Sequence, residues 1–417
     1  MHRWLIAILG LTAASSSLAA VHPSSSPLRA LAASARSILG AAQGVYVEAA
    51  DGSALVAQNA SKPVHPASVS KVPATLALLR KLGADHRFVT TFATTGRSVD
   101  GTLHGDLVVR SDGDPSLVDE DILLVAQRLK ELGIQRVAGE VRLAGPLTFN
   151  WEPAADGTPL RQALSGGTRP AAWLAVQEAA NQDGSTLTSQ EAPVIQFVPG
   201  DGPGVADPVS GAASPADQPL VVYRSQPLLS LLKSLNDYSN NIVAQFVADV
   251  GGVAAVEALA RSLVPREMAS EIILGDAAGA DPNNRLSPRA AVKLLRALEQ
   301  QLASEGRALV DVLPVTGIDD GTLHDRLNGP AEAGRVVGKT GTFDSYGASA
   351  LIGAIATRDR GKVYFAILDH GLAPARARPR QDRFVRALLS RLHGMPWRYE
   401  PDTRPAFARA QVVALPR

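Results

Sequence analysis

Strand-forming runs stand near the two ends of this chain, and helix-forming runs fill the space between them. Gly44 to Ala50 alternates and is rich in Val and Tyr, Asp51-Gly52 supplies a hairpin turn, and Ala54 to Gln58 returns as a partner strand. Far along the chain, Gly334 to Gly341, Ala348 to Thr357 and Lys362 to Leu368 read as antiparallel strands. Helices are expected over Pro27–Leu39, from Val69 with Leu76, Leu78, Leu79 and Leu82 buried, and from Pro227 with Leu228, Leu229, Leu232 and Leu235 on one face. Ile242–Val250, Pro288–Gln301 and a closing segment over Asp382–Leu392 complete the helical set. One antiparallel sheet assembled from both ends of the chain and flanked by helices satisfies this distribution, which is an α/β (α+β) class.

The stretch from Arg87 to Val222 differs in character. It holds short strand-like runs, such as Leu107 to Arg110 and Val141 to Leu143, and a long polar tract from Pro199 to Gln218 that reads as a loop. It is expected to be an inserted, mostly β domain that makes the sheet-bearing domain discontinuous.

The 417 residues allow two or three domains and a sizeable core. A net charge of +1 gives no electrostatic case for nucleic acid. Eight histidines without an H-x-x-x-H pair give little support for a metal site. The absence of cysteine excludes disulfides and a lipidated N-terminal cysteine. His2-Arg3, the apolar run Leu5 to Ala14 and the small-x-small Ser17-Leu18-Ala19 form a secretory signal pattern, cut after Ala19. A membrane anchor is the alternative, but the apolar run is about half of the ~20 residues that a span needs. The expected product is exported, periplasmic or secreted, with no transmembrane anchor after cleavage. The resulting plan is a signal peptide over 1–19, one domain from 20–86 and 223–395, an insert over 87–222 and a C-terminal tail over 396–417.

Three short motifs lie on this frame: Ser68-Val69-Ser70-Lys71, Ser239-Asn240-Asn241 and Lys339-Thr340-Gly341. A serine hydroxyl needs a base before it becomes a good nucleophile. The S-x-x-K spacing at a helix start puts Ser68 and Lys71 on one face, and a half-buried lysine can serve as that base. The plain alternative is a serine that caps the helix. Ser239 and Asn241 sit between two helices, where a hydroxyl can relay a proton and an amide can hold a peptide group; a helix-cap loop is the alternative. Lys339 and Thr340 on a strand can hold a carboxylate, and Gly341 lets a substrate backbone pair along the strand edge; a strand-end bulge is the alternative. The backbone N–H groups of Ser68 and Thr342 would form an oxyanion hole. A second S-x-x-K, Ser230-Leu231-Leu232-Lys233, lies within a leucine-rich helix.

In order and setting these motifs resemble the D-alanyl-D-alanine carboxypeptidase/endopeptidase family of penicillin-binding proteins, of the penicillin-binding protein 4 type. The likeness extends to Thr91–Leu117 with its Gly113-Asp114-Pro115-Ser116-Leu117, to Leu235–Val247, to Asn284-Arg285-Leu286-Ser287-Pro288, and to Leu313-Pro314 through Gly321-Thr322-Leu323. The resemblance implies a serine β-lactamase/penicillin-binding-protein-like transpeptidase domain. It implies Ser68 as the acylated nucleophile, Lys71 as base, Ser239 as proton shuttle, Asn241 as substrate-orienting group, and Lys339 and Thr340 as carboxylate ligands. The implied substrates are peptidoglycan stem peptides ending in D-alanyl-D-alanine or cross-linked through D-alanine, with β-lactams as covalent inhibitors and no metal or organic cofactor.

The chain departs from that pattern where relatives carry D-G-S-G-L-S-R. Here the run is Asp276-Ala277-Ala278-Gly279-Ala280-Asp281-Pro282, with Pro282 at the arginine position. Pro73 sits early in the nucleophile helix and is expected to kink it. Two other readings compete. A β-lactamase-like hydrolase of the same superfamily would, in class A, need Glu-x-x-Leu-Asn, and Leu232 and His324 stand where that Glu belongs. A non-catalytic cell-wall binding protein would keep the fold without turnover. No G-x-S-x-G occurs to support an α/β-hydrolase.

Overall fold

A computed structural model describes residues 26–184, 187, 189–199, 217–242 and 246–416. The signal pattern, most of the polar tract after Pro199 and part of the helix expected over Ile242–Val250 lie outside these residues. The expected strands pair as one antiparallel sheet drawn from both ends of the chain. They are β1 (Gly44–Ala49), β2 (Ala54–Gln58), β3 (Val336–Phe343), β4 (Ala348–Thr357) and β5 (Gly361–Asp369), in the spatial order β3-β4-β5-β1-β2. The joint between the two ends is the β1–β5 pairing, with Val45 opposite Ile367 and Val47 opposite Phe365.

Helices cover both faces, so the central strands carry apolar residues on both of their sides rather than alternating strictly with polar ones. Leu351, Ile355, Val363, Phe365 and Ile367 point to one side, where Leu31, Ala35 and Leu39 of α1 (Ser26–Leu39) meet Phe384, Val385 and Leu388 of the closing helix Pro374–Arg391. Ala350, Ile352, Ala354, Ala366 and Leu368 point to the other side. There they pack with α2 (Lys71–Leu82), α3 (Leu228–Asp237) and α4 (Pro288–Ser304). Pro374–Arg391 is α5; it starts well before the expected Asp382, with Pro374 in its first turn, where a missing N–H costs nothing. Pro379 lies inside it.

Residues 89–224 form a second body. Its main sheet runs Gln411–Ala414, Gln218–Arg224, Val89–Thr94, Leu107–Ser111, Val141–Ala144. A smaller sheet runs Gln196–Val198, Arg136–Ala138, Thr102–His104, Arg97–Val99. Helices over Asp119–Glu131 and Pro170–Asp183 join these strands. Gln411–Ala414, from the segment expected as a tail, supplies the edge strand, with Gln411 opposite Arg224 and Ala414 opposite Val221.

Candidate active site

The nucleophile turn comes first. Ala67–Ser70 is one turn of 3-10 helix running into α2, and Ala67, just before Ser68, is held at φ +48°. A β-carbon is strained at that φ, so the surroundings must hold the turn in place. His65 is one holder: its Nδ1 accepts from the Ala67 N–H at 3.1 Å, and its Nε2 faces the Asp281 carbonyl at 3.0 Å. Burial lowers the His65 pKa, which favours the neutral ring that can accept at Nδ1. Stacking on Phe343, with ring centroids 4.6 Å apart, ties this histidine to the end of β3. Pro73 falls in the first turn of α2, where its N–H is not needed, and the helix runs on to Leu82. The expected kink is not seen.

Lys71 is fully buried. Its Nζ donates to Ser68 Oγ at 2.8 Å, to Asn241 Oδ1 at 2.9 Å and to the Ala278 carbonyl at 2.7 Å. All three ammonium hydrogens are thereby placed. Burial pulls the Lys71 pKa down to about 8, against a smaller upward pull from Asp276. Lys339 is also fully buried. Its Nζ turns inward, donating to Ser239 Oγ at 2.8 Å and to the Thr340 carbonyl at 2.9 Å. Burial, and then the neighbouring Lys71, push its pKa well below the ordinary lysine value.

Ser239 reaches this position from a strained backbone, φ +57°, in the turn after α3. Asn236 on α3 anchors that turn by donating to Thr75 Oγ1 of α2 at 3.2 Å and to the Val312 carbonyl at 3.0 Å. The strand carrying Lys339 lies hard against the nucleophile turn. A Cβ on Gly341 would stand 2.6 Å from the Pro66 carbonyl oxygen and 3.1 Å from Ala67 Cβ, so this glycine is required for the close approach. Ser68, Ser239, Thr340, Gly341 and Thr342 line one open cleft of about 700 Å³. Lys71 and Lys339 stand buried behind them, and exposed Asn241 is tied to the group through Lys71. The structure therefore brings together every residue expected from the three motifs. It leaves the second S-x-x-K apart: Lys233 donates to the Leu313 carbonyl at 2.7 Å and to Asp319 Oδ2 at 2.5 Å. Among the described residues no group of His, Asp and Glu is gathered as metal ligands.

Sequence reasoning missed three contributors. The first is the Ala278 carbonyl, which a backbone group hides from any motif. The second is Asp276, which shapes the loop that presents that carbonyl. Its carboxylate accepts from the Gly279 N–H at 2.7 Å, the Ala280 N–H at 2.9 Å and Asn284 Nδ2 at 2.7 Å. Burial pushes its pKa up, but these bonds outweigh that and hold it below the usual carboxylate value. The third is the arginine face of α5, where Arg378 donates to Thr342 Oγ1 at 2.9 Å.

The profile of the D-Ala-D-Ala carboxypeptidase 3 (S13) family matches residues 26–156 and 167–390. The chain belongs to this family. Among curated relatives, carboxypeptidase DacB of Mycolicibacterium smegmatis is 26% identical, over 82% of this chain and 79% of that protein. The D-alanyl-D-alanine carboxypeptidase of an Actinomadura species is 25% identical, over 80% of this chain and 78% of that protein. Similar folds are seen in a penicillin G-acylated predatory endopeptidase of Bdellovibrio bacteriovorus, solved with an immunity protein (TM-score 0.72, 21% identity, 89% of this chain and 99% of that one). Penicillin binding protein 4 of Haemophilus influenzae, solved with a β-lactam, is another (TM-score 0.59, 20% identity, 88% and 99%). The S13 family is thus a family of serine-type D-alanyl-D-alanine carboxypeptidases into which this chain's motifs, fold and cleft all fit.

Proposed function

We propose that this S13 enzyme hydrolyses D-alanyl-D-alanine ends and D-alanyl cross-links of peptidoglycan stem peptides through an acyl-enzyme on Ser68. The observation that carries the assignment is the 2.8 Å contact between the Ser68 hydroxyl and a desolvated Lys71 amine, inside a cleft that Ser239 also lines. In its neutral form Lys71 takes the Ser68 proton as Oγ attacks the carbonyl carbon of the penultimate D-alanine. The oxyanion is received by the Ser68 and Thr342 N–H groups. The C–N bond then breaks. Ser239, held by Lys339, passes its proton to the departing amine and is reprotonated with the proton Lys71 took from Ser68, so that Lys71 is neutral again and the leaving group goes out as D-alanine or as a D-alanyl-linked peptide amine. Water, deprotonated by the now neutral Lys71, attacks the ester carbonyl, and as the C–O bond to Ser68 breaks Lys71 returns that proton to Oγ. Asn241 orients the acyl-side peptide, and Thr340 and Thr342 receive the carboxylate next to the scissile bond. β-Lactams enter the same sequence and stop at the acyl-enzyme.

The test is direct. Incubation with penicillin followed by digestion should put the adduct on the peptide containing Ser68. A D-alanyl-D-alanine-terminated peptide should release D-alanine. An adduct on the Ser230 peptide, or none on the Ser68 peptide, overturns the assignment.

Export is part of the same proposal, since the substrate lies outside the cytoplasmic membrane. Among the described residues no helix is long and apolar enough to cross a membrane. Mature protein recovered from the periplasm or medium should begin near Ala20; a chain still carrying Leu5–Ala14 would mean an anchor.

A further inference from the structure

The cleft extends past the three motifs along one face of α5. Arg378, Pro379, Asp382, Arg383 and Arg386 line it from that helix, opposite Asp325 and Arg326. These charges are not equivalent. Arg326 donates to Asp382 at 2.6 Å, and Arg386 donates to Glu332 at 3.2 Å, so both cations are committed. Arg378 and Arg383 are exposed and meet no carboxylate among the described residues. Asp325, also without an ion pair there, sets one negative charge against those two. The lining beyond Thr342 is therefore net positive.

Arg378 is fixed to the substrate-facing end of β3. Its Nη2 donates to Thr342 Oγ1, so the threonine hydroxyl has its own hydrogen free to donate into the cleft. Lys339 does not supply a free cation at this place. It is absent from the cleft lining, its Nζ is spent on Ser239 and the Thr340 carbonyl, and burial disfavours its charged form. A carboxylate seated on the Thr340 and Thr342 hydroxyls thus has Arg378 as its nearest permanent counter-charge. Farther along the same helix face, the planar fork of Arg383 meets no carboxylate among the described residues.

We infer that the α5 arginine face is a leaving-group subsite for anions. Arg378 seats, with Thr342, the carboxylate next to the scissile bond, and Arg383 receives a second carboxylate, so the enzyme favours leaving groups that are acidic beyond their first carboxylate. This rests on the acyl-enzyme reading above. It deepens that reading by assigning a charge preference to the departing amine, the side of the substrate on which cross-link cleavage differs from removal of a single D-alanine.

The experiment uses three peptides with one acyl part and different leaving groups: D-alanine, D-alaninamide and D-glutamate. Wild type, Arg378→Gln and Arg383→Gln are assayed for kcat and KM separately. Unchanged thermal midpoints are required of both variants. Wild type should prefer the D-glutamate peptide over the D-alanine one, and the preference should shrink as salt is raised, because the fork is exposed. Arg378→Gln should lower kcat/KM for both carboxylate-bearing leaving groups by about tenfold, the scale of one charge-assisted pair, and leave D-alaninamide within about twofold. Arg383→Gln should erase only the preference for D-glutamate. Equal losses on all three peptides, or a wild type indifferent to the second carboxylate, overturn the subsite while leaving the acyl-enzyme intact. Failure of the wild type to release any of the three leaving groups overturns both.

Discussion

Lys71 holds Ser68, Asn241 and the Ala278 carbonyl at once, and its position explains its chemistry. An amine with three oxygen acceptors and, among the described residues, no carboxylate in ion-pair contact is costly to bury in its charged form, and its pKa falls to about 8. The neutral amine is the base, so acylation should rise with pH, about tenfold per unit below pH 8, and level off above it. A pH profile of the penicillin acylation rate checks this; a rate that falls as pH rises toward 8 would remove Lys71 from the role. Lys71→Ala should lose about 10²–10⁴-fold in the same rate. Lys339→Ala should behave differently. Its Nζ holds Ser239, so loss of the side chain should slow ligands with and without a terminal carboxylate by similar factors, whereas a carboxylate anchor would slow the first kind most. Side chains that meet in the cleft were legible because their motifs keep fixed local spacing. The Ala278 carbonyl was not, since a main-chain oxygen carries no residue identity. Nor was Arg378, one arginine among several on α5, whose contact with Thr342 is made only by the fold.

The run Asp276–Pro282, where the sequence departs from the pattern it otherwise resembles, packs directly on the nucleophile turn. Gly279 has φ +88°, and a Cβ there would lie 2.0 Å from the Ala67 carbonyl oxygen and 2.7 Å from the Ser68 N–H nitrogen. Gly279→Ala should therefore displace the turn as well as strain the loop, with a stability loss of about 1–3 kcal/mol and slower acylation of Ser68. Thermal melts together with the penicillin acylation rate measure both. A variant that loses stability but acylates normally would mean that the loop can yield without moving the serine. At this scale the sequence was readable wherever pattern alone decides. The strands of the main sheet fall within a residue or two of expectation because turn residues bound them, as Asp51-Gly52 does between β1 and β2. The helix over Asp119–Glu131 in the insert carried its own signal, with Ile122, Val125, Ala126 and Leu129 buried on one face, but it lies among short strands whose pairings are settled only in three dimensions. Pro379 concealed the first turns of α5, since a proline reads as a stop where packing against α1 carries the helix through it.

Over the whole molecule the two bodies are laced together by chain order. The insert leaves the main domain after α2 and returns before α3, yet its outer strand, Gln411–Ala414, comes from beyond the last strand of the main sheet. Removing residues 411–416 should uncover the edge of Gln218–Arg224 and make the insert sensitive to protease before the main domain, since a bare strand edge has lost its hydrogen-bond partners. Limited proteolysis with fragments identified by mass would show it. An insert as resistant as in the intact chain would mean that the strand is dispensable.

The seam between β1 and β5 also fixes when this molecule can become itself. β1 has only its hairpin neighbour β2, with Val45 opposite Gln58, until Ile367 has been synthesised to pair its other edge, and the insert has no outer strand until Gln411 has followed. Neither body can close on a growing chain. Contacts this distant in sequence are reached slowly, because the loop between them must be ordered before the pairing rewards it. Until Ile367 and Gln411 have been made both sheets lack a strand, which favours the open condition in which a polypeptide can be threaded through a narrow translocation channel.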